Sequence, residues 1–505
     1  MLCRTLSLTV WVTILGHLYG LQLSDLIQGD PQKLLHTLQD LSDDVSSQYQ
    51  EEAFFNDAAP PPAYKFEKPE YSLRDLNKVY SNLLIEGDML MSEDKIRRYF
   101  TSRGKRQALI QDYPDTIWQN GVPFVLDSSL SSAARNGVLN AIHFWYKETC
   151  INFIPRTNER HYLTFIGNDY GCWSTVGKDG YEGKQVVSIG AGCEHFGITT
   201  HEIGHALGVY HTQSRYDRDS YVRFNPRVIP RNMLHNFAKL SSRIITTYGL
   251  PYETSSVMHY RQTEFSNNPS VPSLTAVNPN YQQGMGQMKE PTFLDVAILN
   301  KHYRCEQKCR YLVDCLNGGY TNPRTCTTCK CPSGFSGTYC ERIEPSYSRH
   351  CGGEITVDGT TRRFEMSVTQ NSVTSDKKCI YHLKAPQGRR ISINLLKVNG
   401  RCLEGCWQDG VEFKMTADYR LTGFRFCCPE TTRRNFVSET NLVPLIVYTS
   451  RRRIEVAFEY SIENQRFFDL ESGNPNVIDS DNEHIFNNVV YHGNSRDGII
   501  AAISD

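Results

Sequence analysis

Where the cysteines fall constrains this chain more than any other feature. None lies between residues 21 and 106, whereas sixteen follow from Cys150 to Cys428, six of them within the 32 residues from Cys309 to Cys340. An even set of this size belongs to an oxidising compartment, and so small a unit must be held by disulfides rather than by a core. Cys3 sits apart in an opening stretch, where Arg4 precedes an apolar run from Leu6 to Leu18 and then Gly20. The run is short for a membrane span. Residues 1–20 therefore read as a signal peptide, with an uncleaved signal anchor as the alternative, and the product as secreted without membrane insertion. A formal net charge of -1 and the lack of a long basic tract exclude nucleic acid and anionic membranes as natural partners. Arg451-Arg452-Arg453 reads as a solvated strand end.

A chain of 505 residues exceeds what one core organises. Residues 21–106 read as a propeptide. It opens with an amphipathic helix, Leu34, Leu38, Leu41 and Val45 recurring at helical spacing after Pro31, and continues through an extended Ala58-Ala59-Pro60-Pro61-Pro62 linker. It ends at Arg103-Gly104-Lys105-Arg106, a basic cluster of the kind a furin-like processing protease cuts. Residues 107–305 mix helix and strand: Ala134, Val138, Ala141, Ile142 and Trp145 mark one helix face, and Tyr162–Ile166 and Val186–Ile189 read as strands. In residues 306–341, the cysteine spacing and the Asn317-Gly318-Gly319 and Gly334-Phe335-Ser336-Gly337 turns resemble an EGF-like module. That resemblance implies the pairs Cys309–Cys326, Cys315–Cys329 and Cys331–Cys340; spacing alone allows fifteen connectivities.

Residues 351–462 alternate as strands do, through Ile391, Ile393 and Leu395 and again through Ile454, Val456, Phe458 and Tyr460. With Cys351-Gly352-Gly353 and the interval to Cys379, this resembles an all-β CUB sandwich, implying a Cys351–Cys379 bond. Adjacent Cys427 and Cys428 project to opposite sides of a strand, so each bonds one of Cys402 and Cys406, in an order the sequence leaves open. Asp409 and Glu412 are candidate calcium ligands, although two acidic residues in a strand more often face solvent. Residues 463–505 form an acidic, cysteine-free tail expected to be disordered.

The chemistry is concentrated at His201-Glu202-Ile203-Gly204-His205, which places two imidazoles one helical turn apart on one face. His211 follows six residues later. On a continuing helix it would lie about 9 Å further along, on another face, so the helix must break, and Gly208 is the residue that can turn the chain back. Three neutral nitrogens leave a zinc position open for water, as catalysis requires. Glu202 is placed as the general base.

The eleven residues from His201 to His211 resemble the metzincin zinc signature, and the following Arg215-Tyr216-Asp217-Arg218-Asp219 is similar to the astacin family in particular. Ser256-Val257-Met258-His259-Tyr260 looks like the methionine turn of that family. The resemblance implies a two-lobed α+β protease domain, one Zn2+, Met258 as an apolar floor, and Tyr260 as a fifth, displaceable ligand that later stabilises the oxyanion. It also implies the disulfides Cys150–Cys305 and Cys172–Cys193. Ile85-Glu86-Gly87-Asp88 is similar to the latency motif of astacin precursors, which makes Asp88 a zinc ligand in the zymogen. Thr212 stands where the family carries a glutamate that meets the freed amino terminus. A terminal Gln107 can moreover cyclise, so activation is expected to depend on removing Asp88 rather than on burying an ammonium.

The order of modules resembles that of nematode astacins of cuticle moulting or egg hatching. It implies extracellular protein substrates such as matrix, cuticle or eggshell proteins, including collagens. The alternative is a catalytically silent matrix or adhesion protein acting through its EGF-like and CUB modules. Such proteins lose a ligand or the base, and here none is lost. A zinc hydrolase of non-peptide substrates would leave Met258 and Tyr260 unexplained.

Overall fold

A computed structural model describes residues 30–52, 66–67, 73–100, 113–167, 171–179, 183–370, 376–429, 433–450 and 452–463. The expected signal peptide, the Arg103, Lys105 and Arg106 cluster and the acidic tail beyond Glu463 lie outside these residues. No described helix is long and apolar enough to cross a membrane.

The leading segment contributes α1 (Pro31–Glu52), a single turn α2 (Leu73–Leu76) and α3 (Glu93–Phe100). The stripe Leu34, Leu38, Leu41 and Val45 is buried, as are Ile96 and Tyr99 of α3. Glu93 and Asp94 at the start of α3, with Arg97 and Arg98 at its end, suit the helix dipole.

The next domain begins with a five-stranded sheet of β1 (Val122–Leu126), β2 (Phe153–Pro155), β3 (Tyr162–Ile166), β4 (Cys172–Ser174) and β5 (Lys184–Ile189), in the order β2-β1-β3-β5-β4. Its pairs are parallel except at β4, which runs antiparallel to β5 and forms an edge. Helix α4 (Ser132–Glu148) starts at Ser131, whose side chain accepts from the Ala134 amide, and buries Val138, Ala141 and Trp145. With α5 (Phe196–Ala206) and α6 (Phe293–His302) it covers one hydrophobic cluster that includes Phe165, Val187, Ile198 and Leu299. Beyond His211 the chain is largely irregular, with one paired ribbon of β6 (Val222–Phe224) and β7 (Leu274–Ala276). A second cluster gathers there around Phe237, Leu240, Tyr252 and Met285, and the α1 stripe belongs to it. Two cores thus give two lobes, and the leading segment completes the second.

The small module has two ribbons, β8 (Tyr320–Thr321) with β9 (Cys329–Lys330) and β10 (Phe335–Ser336) with β11 (Arg342–Ile343). Its disulfides are Cys309–Cys326, Cys315–Cys329 and Cys331–Cys340. Arg324 anchors it to the preceding domain, donating to the Tyr146 and Ile151 carbonyls and to Asn152 Oδ1.

The last module packs one five-stranded sheet on one four-stranded sheet. The first comprises β12 (Gly353–Thr356), β14 (Lys377–Lys384), β16 (Asp409–Phe413), β17 (Phe424–Phe426) and β19 (Leu442–Thr449); the second, β13 (Arg362–Thr369), β15 (Ile391–Asn399), β18 (Arg434–Val437) and β20 (Arg453–Ile462). Along β15 the alternation Ile391, Ile393, Leu395 shifts at a bulge before Lys397, so Val398 also points inward.

Cys351–Cys379 forms, and the open pairing resolves as Cys402–Cys428 with Cys406–Cys427. The calcium candidates need correction. Asp409 and Glu412 are both buried, because β16 has the sandwich core on one side and the Cys402–Cys406 loop and protease on the other. Three positions apart on a strand, they face opposite ways. Asp409 accepts from the Thr449 hydroxyl and Glu412 pairs with Arg425, so they do not converge on an ion.

Candidate active site

Gly208 is the hinge of the site. Helix α5 carries His201, Glu202 and His205 and ends at Ala206, with Leu207 as its C-cap; Gly208, at φ 104°, then reverses the chain toward His211. The result brings the three imidazole Nε2 atoms together, His201 lying 3.0 Å from that of His205 and 3.3 Å from that of His211. Each ring is oriented through its other nitrogen: His201 Nδ1 meets the Val257 carbonyl at 2.8 Å, His205 Nδ1 the Val209 carbonyl at 2.7 Å, and His211 Nδ1 the Glu86 carboxylate at 2.8 Å.

Asp88 closes the group from the leading segment. Its Oδ2 lies 3.2 Å from Nε2 of both His201 and His211, and its Oδ1 3.4 Å from that of His205. Among the described residues, Asp88, His201, His205 and His211 form the only set of three or more potential ligands close enough to share a metal ion. Donors arranged tetrahedrally about zinc at about 2.1 Å stand about 3.4 Å from one another. The four donor atoms fit that ion. The orphaned polar atoms agree, since both Glu202 carboxylate oxygens and the Tyr260 hydroxyl are buried beside the histidines without a hydrogen-bond partner.

The charges follow from this packing. Burial resists ionisation of Asp88, but the surrounding histidines outweigh it and hold the carboxyl well below the usual range. Burial raises Glu202 well above an ordinary glutamate, and the Asp88 charge adds to it. Burial likewise raises the Tyr260 phenol, and pushes the His205 imidazole down to about 4, which favours the neutral, ligating form.

Beneath the histidines, a Cβ on Gly204 would stand 3.4 Å from Met258 Sδ, so helix and methionine turn are in contact. The turn hangs on a residue the sequence reading missed. Asp295 completes the capping box of α6 with Thr292, and also accepts from the Ser256 hydroxyl and the Val257 amide. Tyr260 presents its ring 5.0 Å from His211. Thr212 donates its amide to the Met258 carbonyl and faces a cavity of about 350 Å3, also lined by Tyr113, Glu253, Asp295 and His302.

The delivery of Asp88 is equally local. Glu86 and Gly87 both have positive φ, 52° and 81°, making the reversal that aims the aspartate inward. Asn77 clamps this turn to the sheet, donating to the Gly87 and Cys172 carbonyls and accepting from the Cys172 amide. Met89 then pairs in parallel with Ser174 of β4, and the Ser174 amide donates to the Asp88 carbonyl at 2.9 Å. Glu86 was also missed as a partner of His211; its only signal in sequence was its place within the Ile85–Asp88 quartet. The disulfides Cys150–Cys305 and Cys172–Cys193 tie both ends of this region.

Comparison with known proteins agrees with this chemistry. Residues 110–304 match the peptidase family described as Astacin, and residues 351–461 match the CUB domain. The zinc metalloproteinase nas-29 of Caenorhabditis elegans is 50% identical over 84% of this chain and 84% of its own length. The zinc metalloproteinase nas-23 of the same organism is 42% identical over 79% of this chain and 76% of its length. Among solved structures, high choriolytic enzyme 1, a hatching enzyme zinc-protease from Oryzias latipes, is 35% identical over 36% of this chain and 88% of its own, with a TM-score of 0.34. This chain belongs to the astacin family of zinc metalloendopeptidases, with a disulfide-rich small module and a CUB domain behind its protease domain.

Proposed function

We propose that this protein is an extracellular endopeptidase made as a zymogen, in which His201, His205 and His211 hold the zinc, Glu202 is the general base and Asp88 is the latency ligand. Zinc, when bound, acidifies a water molecule and polarises the scissile carbonyl. Glu202 takes the proton from that water and delivers it to the leaving amine. Tyr260, a displaceable fifth ligand in the resting site, donates its phenolic hydrogen to the developing oxyanion; its buried hydroxyl has no hydrogen-bond partner that would hold it back. The substrate peptide pairs with the β4 edge that Met89 occupies in the precursor.

The observation that carries this reading is the position of Asp88, within 3.2–3.4 Å of all three histidine nitrogens, where the reacting water must enter. A furin-like protease acting after Arg106 would free the segment that carries it. Matrix, cuticle or eggshell proteins, including collagens, are the substrate class, a reading supported by the module order. Sixteen cysteines in eight disulfides support export to an oxidising space.

Cutting the secreted protein after Arg106 and removing the prosegment should produce chelator-sensitive cleavage of a peptide library. Glu202→Ala should lose about 100- to 10,000-fold in rate while retaining zinc. The uncut Asp88→Ala variant should be active, and an uncut variant as silent as wild type would defeat the latency assignment.

A further inference from the structure

Among the described residues of the leading segment, Glu86 and Asp88 make the contacts to the zinc-binding histidines, whereas the longest element, α1, sits on the second lobe. The helix buries Leu34, Leu38, Leu41 and Val45 into the same cluster as Val222, Leu234 and Phe237 of the protease. Polar contacts fix its register on that face. Ser42 Oγ lies 3.1 Å from His235 Nδ1 and accepts from the His235 amide at 3.2 Å. The Tyr49 hydroxyl meets the guanidinium of Arg218, a fully buried arginine that also donates to the Gln213 and Phe237 carbonyls. The Tyr49 ring stands edge-on to Phe224 at 5.0 Å, and Asp43 pairs with Arg231 at the rim.

Further along, the Glu67 amide donates to the Cys402 carbonyl of the CUB domain and the Glu67 carboxylate pairs with Arg401. Lys95 pairs with Asp179 at 2.6 Å. None of these contacts depends on the peptide bond after Arg106.

We propose that the protease face between β6 and the Arg231–Phe237 turn is a helix-binding site, and that the prosegment severed after Arg106 stays seated on it as a non-covalent inhibitor until α1 is displaced. The proposal rests on the latency reading above and adds a second requirement to it, since cutting alone would not open the enzyme. The site recognises an amphipathic helix with apolar residues at i, i+4, i+7 and i+11, a hydroxyl facing His235 and a phenol reaching Arg218. Two anchors on one tether raise the local concentration of Asp88 at the metal, so its own short contacts need not hold it.

The full-length secreted protein is cut with a furin-type protease and run on a gel-filtration column at neutral pH, with cleavage of a fluorogenic peptide read in the same fractions. The wild-type fragments should co-elute with little activity. Leu38→Ala combined with Leu41→Ala should let the fragments separate and raise activity by at least about tenfold. Separation of the wild-type fragments, or equal retention in the double variant, would overturn the proposal. If the double variant is not secreted, Ser42→Ala and Tyr49→Ala must each shorten retention, and unchanged retention in both overturns it equally. Uncut wild-type protein that is already active would instead sink the latency reading, leaving co-elution to judge the docking.

Discussion

Gly208 shows how much of the site turns on one residue. At φ 104° it lies where a side chain is strained, and a Cβ there would stand 3.1 Å from His302 Nε2. Gly208→Ala should therefore cost about 1–3 kcal/mol in stability and displace His211, which thermal melting and zinc titration would register together. Tyr260→Phe removes only the hydroxyl. Because that hydroxyl has no hydrogen-bond partner, the fold should be unaffected while kcat falls about 100-fold or more and KM changes little. The zinc-binding trio was legible in sequence because a two-histidine turn plus a third histidine six residues later has few other uses. Asp295 and Glu86 were not legible, since their roles depend on contacts with segments 38 and 125 residues away.

At the scale of elements, periodicity located α1, α4 and the CUB strands well, because each buries one face. It said nothing of the lobe after His211, where short turns and one ribbon replace regular structure and the packing is held by scattered aromatic residues such as Phe224, Phe237 and Phe265. Nor could it show that α1 would lean on that lobe. The contact predicts a pH dependence. Burial pushes His235 down to about 4, below the ordinary value of about 6.5 that exposure would restore. The undocked form therefore binds the proton more readily in between. Docking of α1 should be strongest above about pH 6.5 and weaken as pH falls from there toward 4. Hydrogen exchange of the α1 amides, corrected for intrinsic rate, should rise across that window in wild type and stay flatter in His235→Gln.

For the whole molecule, the eight disulfides and two protease cores make the metal a chemical component more than a structural one. Chelation should abolish activity yet leave a folded protein whose melting temperature falls only modestly, and added zinc should restore cleavage; a cooperative loss of circular dichroism on chelation would contradict this. The Met89–Ser174 pairing carries one more consequence. Strand β4 is the last rail of its sheet, and an unoccupied rail invites any extended chain, including another copy of the same enzyme. In this structure Met89 of the leading segment keeps that rail filled. On the latency reading, the segment that silences the protease would thus also keep concentrated protein from sticking to itself.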